Sequence, residues 1–298
     1  MKVLIIGARG FIGAGLATYL EALGYSVWSA DVAVDVESEK YIRIIDPSTD
    51  FQEIFRNFEF DVCVNCAGAA SVPASLADPV KDHTLNVSLV ISILDAIRAN
   101  QIECKFIQLS SAAVYGNPEN LPIRELNATS PISPYGVHKL HAEDICKYYF
   151  NLFGVKSTVA RIFSAYGIGL QKQLFWDVYQ RVKQNERLVF FGTGDETRDF
   201  INVHDVCRSI EILIRNSPFQ CDVFNCANGQ EVTIRHAISL LLDQLRVGID
   251  IKFTGEVREG DPNFWEADIS KIANLGYLPS VSLEEGLKSY VKWLRELK

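Results

Sequence analysis

The feature that most constrains the fold lies near the N-terminus, where a short apolar run leads directly into a glycine-rich segment. Residues 2–6 read KVLII, and GARGFIG follows at residues 7–13. A nearly continuous apolar run of this length is typical of a strand buried on both faces, and leucines at helical spacing follow in residues 16–23. The sequence therefore predicts a strand, a tight turn and a helix that open an α/β fold.

The glycines of this segment indicate a dinucleotide site, and we predict NAD as the cofactor. Gly7 permits the tight turn, Gly10 the close approach of a pyrophosphate, and Gly13 the packing of the helix on the strand. Asp31 ends the second predicted strand, where a carboxylate binds the adenosine ribose of NAD and repels the 2′-phosphate of NADP. Two alternatives stay open, because Asp31 could simply begin a turn and Arg9 favours NADP.

Alternating strands and helices continue along the chain and predict a doubly wound parallel sheet. We expect a nucleotide-binding domain at residues 1–163 and a smaller α/β substrate-binding domain at residues 164–298. The two are expected to interleave in part, because a helix and a strand of the second part return to the sheet. Further strands are predicted at residues 41–45, 61–65, 105–109, 157–163 and 223–225.

Residues that follow the predicted strands are candidates for ligand contacts, since open parallel sheets bind ligands at the carboxyl ends of their strands. Asp46 follows the third strand and is expected to approach the adenine. Ala67 lies among small residues after the fourth strand, which would let a cofactor pass close by. Ser111 follows the fifth strand and is a candidate to hold a substrate oxygen, although a serine of an ordinary turn would look the same.

A helix beginning after Ser133 carries two side chains suited to acid–base chemistry. Ser133 is a good N-cap, Pro134 suits the first helical position, and Gly154 is a natural stop. Tyr135 and Lys139 are four residues apart and project from one face, although this spacing alone is weak evidence. A cation about 5 Å from the phenol, at an effective dielectric of about 20, favours the phenolate by roughly 3 kcal/mol. With an oxidised nicotinamide as a second cation, the pKa of Tyr135 would fall from about 10 to near 7.

Charge and composition exclude several classes of protein. The net charge of −8 argues against a broad basic surface, so no nucleic-acid partner is expected. An anionic ligand would need local cations, and Arg198 and Arg258 are the candidates for a diphosphate, although each alone also fits a surface ion pair. No apolar run approaches the ~18 residues of a membrane span. With an opening segment too short for a signal peptide, we expect a cytoplasmic protein with no membrane partner.

Two further patterns have ordinary structural explanations. Cys63 and Cys66 form a C-x-x-C pair on a predicted strand, without a second pair at ligand spacing, so we expect core thiols and no metal site. A long amphipathic helix is predicted at residues 79–100. Its apolar stripe, which indicates core packing or a dimer surface, consists of Leu85, Leu89, Ile93 and Ile97.

Together these segments resemble the extended short-chain dehydrogenase/reductase family, in its NAD-dependent nucleotide-sugar epimerase/dehydratase branch. The resemblance covers nearly the whole chain and implies a Rossmann fold. The motifs that carry it are GARGFIG at 7–13, SSAAVYG at 110–116, the Tyr-x-x-x-Lys spacing at 135–139, RDF at 198–200 and REGD at 258–261. In combination these motifs are highly specific.

The resemblance implies a role for each matching position. Tyr135 would be the acid/base on the sugar hydroxyl, Ser111 would hold the same oxygen, and Lys139 would bind the nicotinamide ribose and lower the pKa of Tyr135. The implied NAD contacts are Gly7, Gly10, Phe11, Ile12, Gly13, Asp31, Asp46, Ala67, Tyr135 and Lys139. The implied contacts of a nucleoside diphosphate sugar are Ser111, Ser164, Arg198, Arg258, Asp261 and Trp265. A homodimer through the helices at 79–100 and 135–153 is also implied.

Departures from the family pattern narrow the expected reaction. Family 4,6-dehydratases carry Thr-Asp-Glu where residues 111–113 read SAA, so dehydration lacks its proton donor. Several epimerases have Asn where Ser164 stands, and the bulk of Trp265 argues against N-acetyl sugars. We therefore predict C4 epimerisation of a nucleotide-linked hexose, with a UDP-sugar as the expected substrate. The alternatives are a nucleotide-sugar 4-ketoreductase, an enzyme of a non-sugar alcohol, and a cofactor-binding scaffold with an inactive site.

Overall fold

The computed structural model describes residues 1–34, 39–45, 47–256 and 260–297. Asp46 and Arg258, two of the predicted site residues, lie outside this described part of the chain. The strands are β1 (Lys2–Ile6), β2 (Ser26–Asp31), β3 (Tyr41–Arg43), β4 (Val62–Asn65), β5 (Lys105–Ser111), β6 (Ser157–Ile162), β7 (Ser164–Tyr166), β8 (Leu188–Phe190), β9 (Thr197–Arg198), β10 (Phe200–Asn202), β11 (Gln220–Cys226), β12 (Val232–Thr233) and β13 (Ile251–Phe253). The α-helices are α1 (Phe11–Ala22), α2 (Pro47–Asn57), α3 (Val72–Ala77), α4 (Pro79–His83), α5 (Leu89–Asn100), α6 (Pro134–Phe153), α7 (Gln173–Lys183), α8 (Val203–Asn216), α9 (Ile234–Leu245), α10 (Ser270–Ala273) and α11 (Leu283–Glu296).

A parallel sheet of seven strands, in the order β11-β6-β5-β4-β1-β2-β3, forms the centre of the molecule. The chain runs from β1 outward to β2 and β3, then crosses to the other side of β1 to form β4, β5 and β6. This reversal lies between β1 and β4, and parallel sheets bind ligands at the carboxyl ends of the strands beside such a point. The prediction of a doubly wound parallel sheet is confirmed.

The first strand shows why its sequence is apolar throughout. Val3 and Ile5 face one side of the sheet, where they join a core with α1 and α8. Leu4 and Ile6 face the other side and join a core with α2, α5 and α6. Because helices cover both faces, every residue of the strand after Lys2 is buried.

A third core lies in the later part of the chain. Side chains of α7, α9 and α11 surround it, among them Phe175, Leu241 and Leu287. Three two-stranded pairs accompany these helices: β7 with β10, β9 with β12, and β8 with β13. Strand β11 and helix α8 return to the main sheet, as the interleaved arrangement requires. The division of the chain at residues 163 and 164 stays a prediction.

The helix predicted at residues 79–100 differs in detail from the expectation. A π-helical turn at Thr84–Ser88 separates α4 from α5. The turn inserts one residue and so shifts the buried face, and the predicted continuous stripe is wrong. Ile93 and Ile97 are fully buried, but Leu85 is 40% exposed and the neighbouring Asn86 is buried instead.

The two cysteines of the C-x-x-C pair have the properties of core thiols. Cys63 is fully buried, and burial raises the pKa of both the Cys63 and the Cys66 thiols. Within the described ranges, no cluster of three or more His, Cys, Asp or Glu side chains could hold a metal ion. None of the helices in those ranges combines the length and the apolar character that a membrane span needs.

Candidate active site

Helix α6 begins where the sequence predicted. The Ser133 hydroxyl accepts the backbone N–H of Gly136 at 3.2 Å, and Gly154 ends the helix with a φ of 73°. A second serine also fixes this start, because Ser75 Oγ accepts the backbone N–H of Tyr135 at 3.1 Å. Sequence reasoning missed Ser75, since a contact across 60 residues has no local signal. Together these contacts set the position of Tyr135 in the first turn.

Lys139 is a buried ammonium one turn further along α6. Its Nζ donates a hydrogen bond to the carbonyl oxygen of Leu109 at 3.1 Å and lies 5.9 Å from the ring centroid of Tyr135. Burial lowers the pKa of Lys139 to about 8, and the negative charge of Asp82 partly offsets that effect. The side chain therefore loses its proton much closer to neutral pH than an ordinary lysine does.

Tyr135 differs from the expectation in its acidity. Burial raises the pKa of Tyr135 above its ordinary value of 10.0, although a hydrogen bond with the Ser111 side chain opposes the rise. The predicted lowering by Lys139 alone is wrong, because the charge argument left out the cost of moving a phenolate out of water. Asp82 adds to this cost by repelling the phenolate.

Ser111 completes this group. It is the last residue of β5, two residues beyond the predicted end of that strand, and its Oγ accepts the backbone N–H of Ala113 at 3.2 Å. A short 3-10 turn, Ala112–Tyr115, then leads the chain away. The structure thus brings Ser111, Tyr135 and Lys139 together beside the carboxyl end of β5, as predicted.

The glycine segment and the end of β4 form a narrow cradle. A Cβ atom on Gly13 would lie 2.1 Å from the carbonyl oxygen of Gly7, and one on Gly7 would lie 2.5 Å from the backbone nitrogen of Ala67. Gly7 also has a φ of 78°, which other residues rarely adopt. These positions therefore require glycine, and they leave the backbone bare where a pyrophosphate would approach the N-terminus of α1.

Asp31 lies at the edge of this cradle. Its carboxylate accepts the backbone N–H of Arg9 at 2.8 Å and that of Ala33 at 3.2 Å. Both the ribose role and the turn role of Asp31 are compatible with this position. The Arg9 guanidinium lies 5.3 Å from the ring centroid of Tyr41, at the same edge. Phe11 and Ile12, the first residues of α1, are half-buried directly after the glycine turn.

Asn86 extends the cradle toward Lys139, and sequence reasoning missed it. Its side-chain oxygen would lie 2.6 Å from a Cβ on Gly68, and Lys139 Nζ would lie 3.4 Å from the same point. Both polar atoms of the Asn86 side chain are buried without a hydrogen-bond partner in the described part of the chain. A polar residue on an otherwise apolar helix face was the available signal. An unpaired amide at this place fits a polar ligand that lies along the cradle, as NAD would.

A second cluster lies beyond the 3-10 turn. The Arg198 guanidinium is 5.4 Å from the ring centroid of Trp265, and burial lowers the pKa of Arg198 while the charge of Asp261 opposes that effect. The indole N–H of Trp265 donates to the carbonyl oxygen of Gly116 at 3.0 Å, which joins this cluster to the segment that follows Ser111. Ser164 pairs with the residue at position 200 between β7 and β10.

Asp199 organises the backbone around Arg198. Its carboxylate accepts the N–H groups of Asn228 at 2.8 Å, Gly229 at 2.9 Å and Ala267 at 3.2 Å. Burial raises the pKa of Asp199 to about 7 against these hydrogen bonds. The sequence motif RDF contains this residue but did not reveal its role, which is to hold two loops against β10.

Comparison with known proteins identifies the family. The model of the NAD dependent epimerase/dehydratase family matches residues 3–227. The chain belongs to this family. The predictions of the family and of NAD as the cofactor are therefore confirmed, and the cradle of this family member has the bare backbone and the unpaired amide that suit the cofactor.

Relatives of this family member are similar over their full length. A UDP-glucose 4-epimerase of Lactobacillus helveticus is 28% identical, over 98% of this chain and 97% of the relative. A UDP-glucuronic acid 4-epimerase of Bacillus cereus, solved with UDP-glucuronic acid and NAD, is 28% identical with a TM-score of 0.90 and full coverage of both chains. A UDP-glucose 4-epimerase of Thermotoga maritima, solved with UDP-glucose, is 26% identical with a TM-score of 0.89 and 99% coverage of both.

Proposed function

We propose that this protein inverts the configuration at C4 of a UDP-linked hexose and uses NAD to do so. The observation that carries the proposal is the grouping of Ser111, Tyr135 and Lys139 beside the cradle for NAD. Residues 112 and 113 are both alanine, so the site lacks the carboxylates that dehydration would need there. Relatives that are similar over their whole length carry the names of UDP-sugar 4-epimerases.

The chain supplies the proton chemistry of this reaction. Tyr135, as the phenolate, takes the proton of the C4 hydroxyl and later returns it, while Ser111 donates a hydrogen bond to the same oxygen. Bound NAD supplies the hydride acceptor and donor that no side chain can provide. Because burial disfavours the phenolate, Tyr135 needs a positive charge nearby, and protonated Lys139 supplies one 5.9 Å from the ring centroid.

A separate set of residues would hold the nucleotide. Arg198 is a half-buried cation whose guanidinium can donate two parallel hydrogen bonds to diphosphate oxygens. Asp261, Trp265 and Ser164 lie in or beside the same cluster and are proposed contacts of the nucleotide sugar. Arg258 is proposed as a second cation from its sequence motif alone. These assignments of binding residues are proposals, as are those of Gly7, Gly10, Gly13, Asp31 and Ala67 for NAD.

We also propose that the protein is a cytoplasmic homodimer. All seven cysteines are free thiols, which suits a reducing compartment. Helix α6 packs against both α4 and α5, and apolar side chains of these helices are exposed to solvent. A second copy packed on these helices would bury those side chains in one four-helix interface.

The test of the proposed reaction uses purified protein without added NAD. UDP-glucose, UDP-galactose, their glucuronic acid and N-acetyl forms, and dTDP-, CDP- and GDP-hexoses are supplied in turn, and proton NMR reports the configuration at C4. We expect one UDP pair to interconvert, and Tyr135→Phe to lower kcat by at least about 1,000-fold through loss of the base. Tyr148→Phe, an exposed tyrosine of the same helix, is the matched control and should keep full activity.

Two outcomes would contradict the proposal. Inactivity toward every nucleotide sugar would exclude a self-contained epimerase, and reduction of 4-keto sugars with added NADH would then identify a ketoreductase. Turnover that survives Tyr135→Phe would show that the proposed base is wrong even if the reaction is right.

A further inference from the structure

Asp82 and His138 form a buried pair behind the catalytic side chains. His138 Nδ1 and Asp82 Oδ2 are 2.7 Å apart, and the two side chains are only 12% and 3% exposed. The second carboxylate oxygen, Oδ1, is buried and has no hydrogen-bond partner among the described residues. Nothing in the proposed reaction uses either residue directly. A carboxylate kept in such a place needs a compensating charge nearby.

Lys139 is a cation on which the charge of Asp82 acts. His138 precedes Lys139 on α6, and Asp82 lies on α4, which packs against α6. The negative charge of Asp82 acts on both catalytic groups: it favours the ammonium form of Lys139 and disfavours the phenolate form of Tyr135. The pair therefore influences the protonation of the catalytic side chains electrostatically, without contact with the reacting atoms.

Other charged and titratable groups around Lys139 contribute less. Cys66 at the end of β4 and Glu143 on α6 also favour its protonated form, but Asp82 contributes most among the charges. Glu143 is already paired with Arg161 at 2.6 Å. On the outer side, the exposed rings of His83 and His141 flank His138 with ring centroids 5.2 and 6.3 Å away.

We propose that Asp82 and His138 are a positioning pair for Lys139. The ring N–H of His138 donates a hydrogen bond to the Asp82 carboxylate and holds it in place, and the negative charge of Asp82 keeps the buried ammonium of Lys139 protonated at the pH at which the enzyme works. The assignment of Lys139 as a catalytic group rests on the proposed function, but the electrostatic effect itself does not depend on it. Asp82 and His138 are thus positioning residues whose removal changes the titration of Lys139 and Tyr135.

The direct test follows the titration of Lys139 by NMR of protein labelled with ¹³C at the lysine ε-carbon. Lys139→Arg removes one signal and so assigns it. We expect a midpoint near pH 8 for the unchanged protein and a midpoint about one pH unit lower for Asp82→Asn, because an opposite charge has been lost. Asp144→Asn, an exposed acid on the same helix, should leave the midpoint unchanged.

Two variants of His138 separate the hydrogen bond from packing. His138→Asn places an N–H donor where Nδ1 lies, and the midpoint should stay within a few tenths of a pH unit. His138→Leu fills the space without a donor, so the Asp82 carboxylate loses the hydrogen bond that holds it in place, and the midpoint of Lys139 should fall toward that of Asp82→Asn. An unchanged midpoint in His138→Leu would overturn the proposal, and it would do so even if Asp82→Asn failed to fold.

The consequence for catalysis is read from the pH dependence of kcat. Because Asp82 favours the protonated forms of both Tyr135 and Lys139, its removal should move both limbs of the profile to lower pH. A merely structural role would lower the height of the profile and leave the limbs in place. If no epimerisation is found, the NMR titration still decides the proposal, so its failure and the failure of the proposed function are distinguishable.

Discussion

At the scale of one residue, the buried ammonium of Lys139 lowers the free energy of unfolding at neutral pH. Burial lowers its pKa from 10.5 to about 8. The folded chain therefore releases this proton near pH 8, whereas the unfolded chain holds it up to about pH 10.5. The cost of burying the ammonium is fully present below pH 8 and disappears as the pH rises toward 10.5. That difference in pKa corresponds to roughly 3 kcal/mol of unfolding free energy.

Replacing this charge by an apolar chain of similar length should stabilise the fold. We expect Lys139→Met to raise the free energy of unfolding by about 2 kcal/mol at pH 7. Removing the buried charge contributes roughly 3 kcal/mol, and losing the hydrogen bond to Leu109 costs about 1 kcal/mol. The gain should shrink above pH 8 and vanish just below pH 10, where the remaining cost of the buried charge equals the contribution of the lost hydrogen bond. Urea unfolding of both proteins at pH 7, 8, 9 and 10 measures it. A difference that does not change with pH would contradict the assignment of the cost to the buried charge.

At the scale of the element, two helices begin with a serine N-cap but differ in whether the first turn carries a catalytic residue. Ser133 caps α6 at 3.2 Å from the Gly136 nitrogen, and Ser282 caps α11 at 3.3 Å from the Glu285 nitrogen. In α11 the Glu285 side chain also returns to the Ser282 backbone, which completes a capping box. Only the cap of α6 lies next to a catalytic residue.

The two caps make a matched comparison. Ser133→Ala and Ser282→Ala should each lower the free energy of unfolding by about 1 kcal/mol, because each leaves a backbone N–H without its acceptor. Only Ser133→Ala should also lower kcat, by about tenfold or more, since Tyr135 then loses part of its positioning. Urea unfolding and steady-state kinetics of both variants provide the measurement. An equal effect of both variants on kcat would mean that the first turn of α6 does not position the base.

At the scale of the whole molecule, the outer faces of the helices behind the site are unusually apolar. The exposed apolar side chains of α4, the π-helical turn, α5 and α6 are Val80, Leu85, Ile91, Tyr148, Leu152 and Phe153. Exposed apolar side chains gathered on neighbouring helices are typical of an interface between proteins. In the proposed dimer these side chains would lie at the interface, and three of them belong to the same helix as Tyr135 and Lys139.

One substitution in this surface should separate the subunits. Leu152 is 66% exposed, and Leu278, in the segment between α10 and α11, is 67% exposed. Leu152→Asp would bury a charge in the interface and should give a monomer, whereas Leu278→Asp should keep a mass of about twice 33.4 kDa. Light scattering coupled to size-exclusion chromatography measures both. If the unchanged protein itself has the mass of one chain, the proposed homodimer is wrong.

Much of the fold and the outline of the site followed from local sequence patterns. The continuous apolar run of β1, the glycines at positions 7, 10 and 13, and the caps around α6 each depend on neighbouring residues alone. They therefore predicted the first strand, the glycine turn for the cofactor and the helix that carries Tyr135 and Lys139, and the alternation of strands and helices predicted the parallel sheet. The family model over residues 3–227 supports the same conclusion for most of the chain.

Only the tertiary structure decided the surroundings of these residues. Ser75 binds the first turn of α6, Asp82 pairs with His138, and Asp199 gathers loops from residues 228–230 and 267. Each contact joins segments far apart in the chain, and a hydrogen bond between distant segments has no periodicity that a sequence could display. The predicted direction of the pKa shift of Tyr135 was wrong for a related reason. Charge spacing can be read along one helix, but the cost of burial depends on every element packed around it.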